Sequence, residues 1–220
     1  MEHINKERLI KTFKELASIP SPSGQEEKIA QVLTEKLERL GLDVQKDSYG
    51  NIIAKLAGDG ESIMLCAHMD TVAVGGDVIV PVEKKDEGVI ISDGTTIFGA
   101  DNKDSLAAIL EALEVILEKN IPHRAVEVVF TKEEEAISRG IQNFDFSLVS
   151  SKKCIVADSP EAYGTIITKA PYLYQFNITI EGTRAHAKEP EKGVNTALII
   201  SNAVSSMPLG TADASELTNT

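Results

Sequence analysis

A chain of 220 residues, 42% hydrophobic, 25% charged and 5% aromatic, has ordinary globular composition and enough length to bury a core, which excludes collagen, coiled-coil and disordered classes. Twenty-two basic residues against 34 acidic ones leave a formal charge of −12, a surface that repels phosphate backbones, so nucleic acid is not an expected partner. The charged start Met1-Glu2-His3-Ile4-Asn5-Lys6-Glu7 does not read as an export signal, and no window approaches the roughly 18 apolar residues of a membrane span. The expectation is a cytoplasmic protein with no membrane partner.

Residues 4–18 carry Ile4, Leu9, Ile10, Phe13 and Leu16 at helical spacing, and Pro20 and Pro22 end the pattern. A second helix is expected to start at a capping box, Ser23-Gly24-Gln25-Glu26, with Ile29, Val32, Leu33, Leu37 and Leu40 on one face and Gly41 as its stop. Short strands follow near 43–47 and 51–57 around a Ser48-Tyr49-Gly50 turn. The Gly58-Asp59-Gly60 turn then leads to Ile63-Met64-Leu65-Cys66-Ala67, which reads as a central strand buried on both faces.

Alternation over 86–98 with Asp93-Gly94 suggests a hairpin, residues 106–117 an apolar helix, and Val126-Glu127-Val128-Val129-Phe130 and Ile155-Val156-Ala157 two further strands. Strands interleaved with helices predict an α/β fold with a mixed, largely parallel sheet and flanking helices. From about Pro171 the pattern changes to a long alternating strand at 172–180, a loop at 182–193 and a helix at 194–206, the beginning of an α+β second domain. The expected division is 1–170, 171–210 and a polar tail at 211–220. Cys66 and Cys154 lie in or at the start of apolar runs and are expected as reduced core thiols. No CxxC or Cys/His cluster supports a structural zinc knuckle. Gly75-Gly76 opens no strand-to-helix phosphate loop, which disfavours nucleotide chemistry.

Polar groups gather at or just beyond the C-terminal ends of expected strands, where open α/β sheets place their ligand crevice: His68-Met69-Asp70, Asp101, Glu134-Glu135 and Asp158. Imidazole and carboxylate are the ligand set of catalytic zinc-type ions. Each residue taken alone has a plainer explanation. His68 could be a hydrogen-bonded loop residue, Asp101 a cap of the following helix, Glu133-Glu134-Glu135 a solvated acidic turn and Asp158 an Asx turn before Ser159-Pro160. Their recurrence at successive strand ends favours a metal site, and a cation would relieve the repulsion among the three adjacent glutamates.

Cys66-Ala67-His68-Met69-Asp70-Thr71-Val72, Gly99-Ala100-Asp101-Asn102-Lys103, Phe130-Thr131-Lys132-Glu133-Glu134-Glu135 and Gly182-Thr183-Arg184-Ala185-His186-Ala187, in that order, resemble the co-catalytic zinc exopeptidases, and most closely their peptidase T-like branch. The resemblance runs from about residue 5 to 210. It implies that His68 and Asp158 ligate one metal, Glu135 the other, and Asp101 bridges both, with Asp70 orienting His68. It also implies Glu134 as general base, His186 as an oxyanion donor from a lid domain across a dimer interface, and Asn195 as a substrate contact. The expected activity is tripeptide aminopeptidase-like hydrolysis of short peptides. Two zinc ions, or cobalt or manganese, are expected in the full-length family, with one or none left open for this chain, and the lid segment leaves a homodimer open.

Departures accompany the resemblance. The family supplies a final histidine ligand after the lid, whereas this chain has only His3, His68, His123 and His186. The expectation is therefore a C-terminally truncated chain, whose rival is a non-catalytic remnant holding at most one metal. A related carboxypeptidase or N-acyl amino acid deacylase would share every catalytic residue. Ile137 stands where the family has glycine, a position of concern if its φ is positive, and Asp104 adds negative charge near Asp101.

Overall fold

The computed structural model describes residues 3–76, 78–162, 164–169 and 175–207. The chain divides into two compact units, Met1–Pro160 and Glu161–Thr220.

In the first unit, helix α1 (Lys6–Ala17) starts where the Asn5 side chain accepts the Arg8 N–H, and α2 (Glu27–Arg39) follows. The capping box does not form: Glu26, at the N-cap, makes no side-chain cap bond, and Ser23 donates its hydroxyl to Asp70 instead, so the helix begins three residues late. Strands β1 (Asp43–Lys46), β2 (Ile52–Leu56) and β3 (Asp59–His68) come next. The Asp59-Gly60 pair, read as a turn, is part of β3, with an irregular register between Asp59 and Ile63. The hairpin is β4 (Pro81–Lys84) with β5 (Val89–Ser92), turning at 85–88 rather than at Asp93-Gly94. Asp93 instead accepts the Thr95 N–H in a tight turn after β5. Helix α3 (Ala100–Glu118), strand β6 (Arg124–Thr131), the single turn α4 (Arg139–Gln142) and strand β7 (Cys154–Val156) complete the unit.

Five strands form one mixed sheet in the order β1-β2-β6-β3-β7, β6 parallel to β3 and β3 parallel to β7, the other two pairs antiparallel. This mixed sheet with flanking helices is the α/β architecture expected. The apolar stripes of α1, α2 and α3 close on one face, where Leu16, Leu33, Leu106, Val128 and Phe130 are wholly buried. Each such side chain contributes roughly 1.5–3 kcal/mol. Glu111 of α3 ties α1 in place by accepting from the Asn5 N–H at 2.8 Å and from Arg8 Nε at 2.6 Å.

Among the described residues, the other face carries a small cluster around Ile53, Val129 and Phe144. The fully covered strand is thus β6, while Ile63–Cys66 of β3 are half-buried, because β7 beyond them is exposed. The cysteines differ from expectation for the same reason: both are free, but Cys66 is half-buried and Cys154 is exposed. Among the described residues no helix is long and apolar enough to cross a membrane.

In the second unit, Thr183 and Val194 form an isolated antiparallel bridge, a 3-10 turn covers Pro190–Lys192, and α5 (Thr196–Ser205) begins at Asn195. Of the strand expected at 172–180, residues 175–180 are not in strand conformation; the rest lies outside the described residues, as does the 211–220 tail. Alternation stabilises a strand only when a neighbouring strand completes the ladder, and none does so among the described residues.

Candidate metal centre

Because β3, β6 and β7 run parallel, their carboxyl ends emerge side by side, with His68 opposite Thr131 and Cys66 opposite Val156. Three of the four polar sites therefore share one edge of the sheet: His68-Met69-Asp70 after β3, Glu133-Glu134-Glu135 after β6 and Asp158 after β7. Asp101 arrives from the start of α3, where the chain is not yet helical: its ψ is 110° and the Asp101–Asn102 peptide bond is cis. Its carboxylate meets His68 Nε2 at 3.0 Å instead of capping the helix.

His68 is 3% exposed. Its Nδ1 lies 2.9 Å from the Asp70 main-chain carbonyl and 3.3 Å from Asp70 Oδ1, while Nε2 faces Asp101 at 3.0 Å and Asp158 at 3.9 Å. Burial alone would lower the imidazole pKa, but the bond to Asp70 and the charges of Asp70, Asp158 and Asp101 outweigh it and push it up to about 9. Asp70 is wholly buried. That burial would raise its pKa, yet it is held below its ordinary value by His68, by the Ser23 hydroxyl and by the Glu134 and Glu135 N–H groups. Asp70 thus meets His68 Nδ1 most closely through its main-chain carbonyl, and its carboxylate accepts the two N–H groups of the glutamate turn.

Glu135 and Asp158 are both raised, first by burial and then by neighbouring carboxylates: Asp101 and Glu134 act on each, against the opposing charge of His68. Among the described residues, two groups could hold a metal ion, His68 with Asp101 and Glu135, and His68 with Glu134 and Asp158, the candidate ligand atoms within each group lying within 4.8 Å of one another. The donor chemistry, one imidazole and clustered carboxylates whose mutual repulsion a cation would relieve, fits a divalent transition ion. The grouping differs from the one the resemblance implies, since His68 is common to both groups and Asp101 belongs to one.

His186 and Asn195 belong to the second unit. His186 is exposed, with Nδ1 accepting the Lys188 N–H, and Asn195 accepts the Ala197 and Leu198 N–H groups as the cap of α5. Ile137 has φ +65°, so the position does demand a left-handed backbone.

The family model described as Peptidase family M20/M25/M40 matches residues 64–196, which span the metal-centre residues. An uncharacterized protein of Bacillus subtilis, YqjE, is 39% identical over 221 residues, covering 96% of this chain and 59% of its own length. The crystal structure of a tripeptidase from Staphylococcus aureus superposes with a TM-score of 0.80 at 34% identity, covering 96% of this chain and 59% of that one. Aminopeptidase PepT from Bacillus cereus gives a TM-score of 0.77 at 36% identity, with the same coverage. The chain therefore spans about 59% of the length of these relatives.

Proposed function

The chain belongs to peptidase family M20/M25/M40, and from that premise we propose that its acidic cluster is the metal-binding part of an exopeptidase site that hydrolyses short peptides from the amino end. One observation carries the proposal: His68, Asp101 and Glu135, and His68, Glu134 and Asp158, bring ligand atoms within 4.8 Å of one another from the ends of three parallel strands and one helix. His68, Asp101, Glu135 and Asp158 would hold the ions, zinc being the first candidate. Bound there, they would supply Lewis-acid activation of a water and of the scissile carbonyl.

The protein's own groups do the rest. Asp70 keeps the His68 ring oriented through Nδ1 and holds the Glu134 and Glu135 N–H groups at 2.8 and 3.0 Å. Glu134 Oε1 accepts the Ser138 hydroxyl at 3.2 Å, which leaves Oε2 to take a proton from the attacking water and return it to the leaving amine. The family resemblance supports His186 as an oxyanion donor across a dimer interface, to the site of a partner subunit, and Asn195 as a substrate contact, both within a lid and dimerisation segment at 171–210.

Elemental analysis of the purified chain after exchange into zinc- or cobalt-containing buffer tests the site. At least one ion per chain, lost in His68→Ala, is expected; no bound ion would refute it. In a preparation that hydrolyses tripeptides, Glu134→Gln should lower kcat by about 10²–10⁴-fold, and unchanged turnover would remove Glu134 from the mechanism. Hydrolysis of C-terminally blocked peptides together with tripeptides supports an aminopeptidase, whereas a preference for N-acyl amino acids would identify a deacylase.

A further inference from the structure

Four successive backbone N–H groups enter the glutamate turn, and each is accepted by a buried side chain from elsewhere in the chain. Asn51 Oδ1 takes Lys132 at 3.0 Å, Glu26 Oε1 takes Glu133 at 3.0 Å, Asp70 Oδ1 takes Glu134 at 2.8 Å and Asp70 Oδ2 takes Glu135 at 3.0 Å. Glu26, Asn51 and Asp70 are all 0% exposed. Water could satisfy the N–H groups of a surface turn without any of them, and burying two carboxylates beneath three more is costly unless geometry and hydrogen bonds repay it.

Compensation for Glu26 is local. Its Oε1 also accepts the Gly24 N–H at 3.0 Å, and its Oε2, which has no hydrogen bond, faces Lys132 Nζ at 3.4 Å. Lys132 is the residue that opens the turn, so the Glu26 charge is neutralised by the segment it holds. Asn51 fixes the far end as well: its Nδ2 donates to the Gly140 carbonyl at 3.0 Å and to Asp47 Oδ2 at 2.7 Å. Gly140 lies so close that a Cβ there would sit 2.0 Å from the Lys132 carbonyl oxygen. The turn is thus closed on itself and anchored at both ends, and the Glu134 and Glu135 carboxylates project from it into the two ligand groups.

We propose that Glu26 and Asn51 are positioning residues for the base Glu134 and the ligand Glu135, acting through the backbone and touching neither metal nor substrate. Asp70 bonds to the His68 and glutamate segments together; Glu26 and Asn51 bond to the glutamate segment and not to His68. The proposal rests on the metal-site reading above for its consequence, though not for its geometry.

Amide hydrogen exchange and cobalt titration on the 220-residue chain test it in parallel. In Glu26→Ala the Glu133, Glu134 and Glu135 amides are expected to exchange about tenfold faster or more, while Val128 and Phe130 in β6 keep their protection. The cobalt dissociation constant is expected to rise about 10- to 100-fold. Glu26→Gln keeps an oxygen for the Glu133 N–H and should restore most of the protection. Leu33→Ala, a cavity in α2, serves as the control for lost stability: it should speed exchange in the turn and in β6 together and leave cobalt affinity unchanged. If Glu26→Ala does not fold, Asn51→Ala takes its place, with the Lys132 amide as the reporter.

Unaltered exchange at Glu133–Glu135, or acceleration shared equally with Val128 and Phe130, would overturn the proposal. So would unaltered cobalt affinity in Glu26→Ala or Asn51→Ala when exchange is accelerated in the turn and not in β6. A parent chain that binds no cobalt would refute the metal-site reading separately, and the exchange pattern would still decide the role of Glu26.

Discussion

Asp70→Asn changes no volume and tests how much the buried carboxylate does. Asp70 Oδ1 accepts the Glu134 N–H, and Oδ2 accepts both the Glu135 N–H at 3.0 Å and the Ser23 hydroxyl at 2.7 Å. An asparagine amide has one oxygen, so whichever way it lies its NH2 group faces one of the two backbone N–H donors. That orphaned, buried donor costs about 1–3 kcal/mol. The surviving bonds lose their charge assistance, about 1 kcal/mol in all, and the cheaper burial of a neutral group offsets part of the sum. The net expectation is a loss of about 2–3 kcal/mol. Urea unfolding of the metal-free chain at pH 7 measures it as a lowered midpoint at unchanged m-value. A loss below about 0.5 kcal/mol, within the range of ordinary surface substitutions, would show that the carboxylate is not what holds the turn.

Three further expectations concern separate parts of the molecule. Glu127, 3% exposed, accepts the Ser150 and Ser151 N–H groups at 2.8–3.0 Å; burial would raise its pKa, but these bonds and the serine hydroxyls hold it below the ordinary value. A depressed carboxylate stabilises above its unfolded pKa and ceases to do so as pH falls through its folded pKa, so the penalty of Glu127→Gln should be full at pH 7 and shrink below about pH 4. A pH-independent penalty in urea unfolding would contradict this. Ile137, a β-branched residue at φ +65°, should gain about 0.5–1 kcal/mol on replacement by glycine, because relieved backbone strain exceeds the added chain entropy; a lowered unfolding midpoint would refute it. Zinc at a hundredfold excess over its dissociation constant should stabilise the chain by about 2.7 kcal/mol, and EDTA or His68→Ala should remove the increment, since His68 is common to both ligand groups. An increment that survives in His68→Ala would place the ion elsewhere.

Where a signal is local, it was legible in the chain itself. The apolar periods that make α1, α2, α3 and α5 and the strands flanking Ser48-Tyr49-Gly50 can be read from spacing and residue type, and the candidate site residues His68, Asp101, Glu134, Glu135 and Asp158 from residue type and family resemblance. Less was legible where a residue's partner is distant. Glu26 reads as a helix cap, and nothing near it announces Glu133, 107 residues away, as the group it holds. Asn51 reads as the first residue of a strand, although it closes a loop 81 residues further on. The hairpin turn at 85–88 and the unstranded 175–180 segment differ from the sequence expectation for a related reason: local alternation is compatible with several pairings, and only the available ladder partners select one.

The sequence by itself determined the donor set and the order of the elements, because both are written in residue types and short periods. Only the tertiary structure decided which donors meet. Parallel alignment of β3, β6 and β7 brings His68, Asp158 and the glutamate turn to one sheet edge. Buried carboxylates and an amide, with no signature in the surrounding sequence, then fix that turn, because a buried N–H must find an acceptor wherever in the chain one can be brought within about 3 Å.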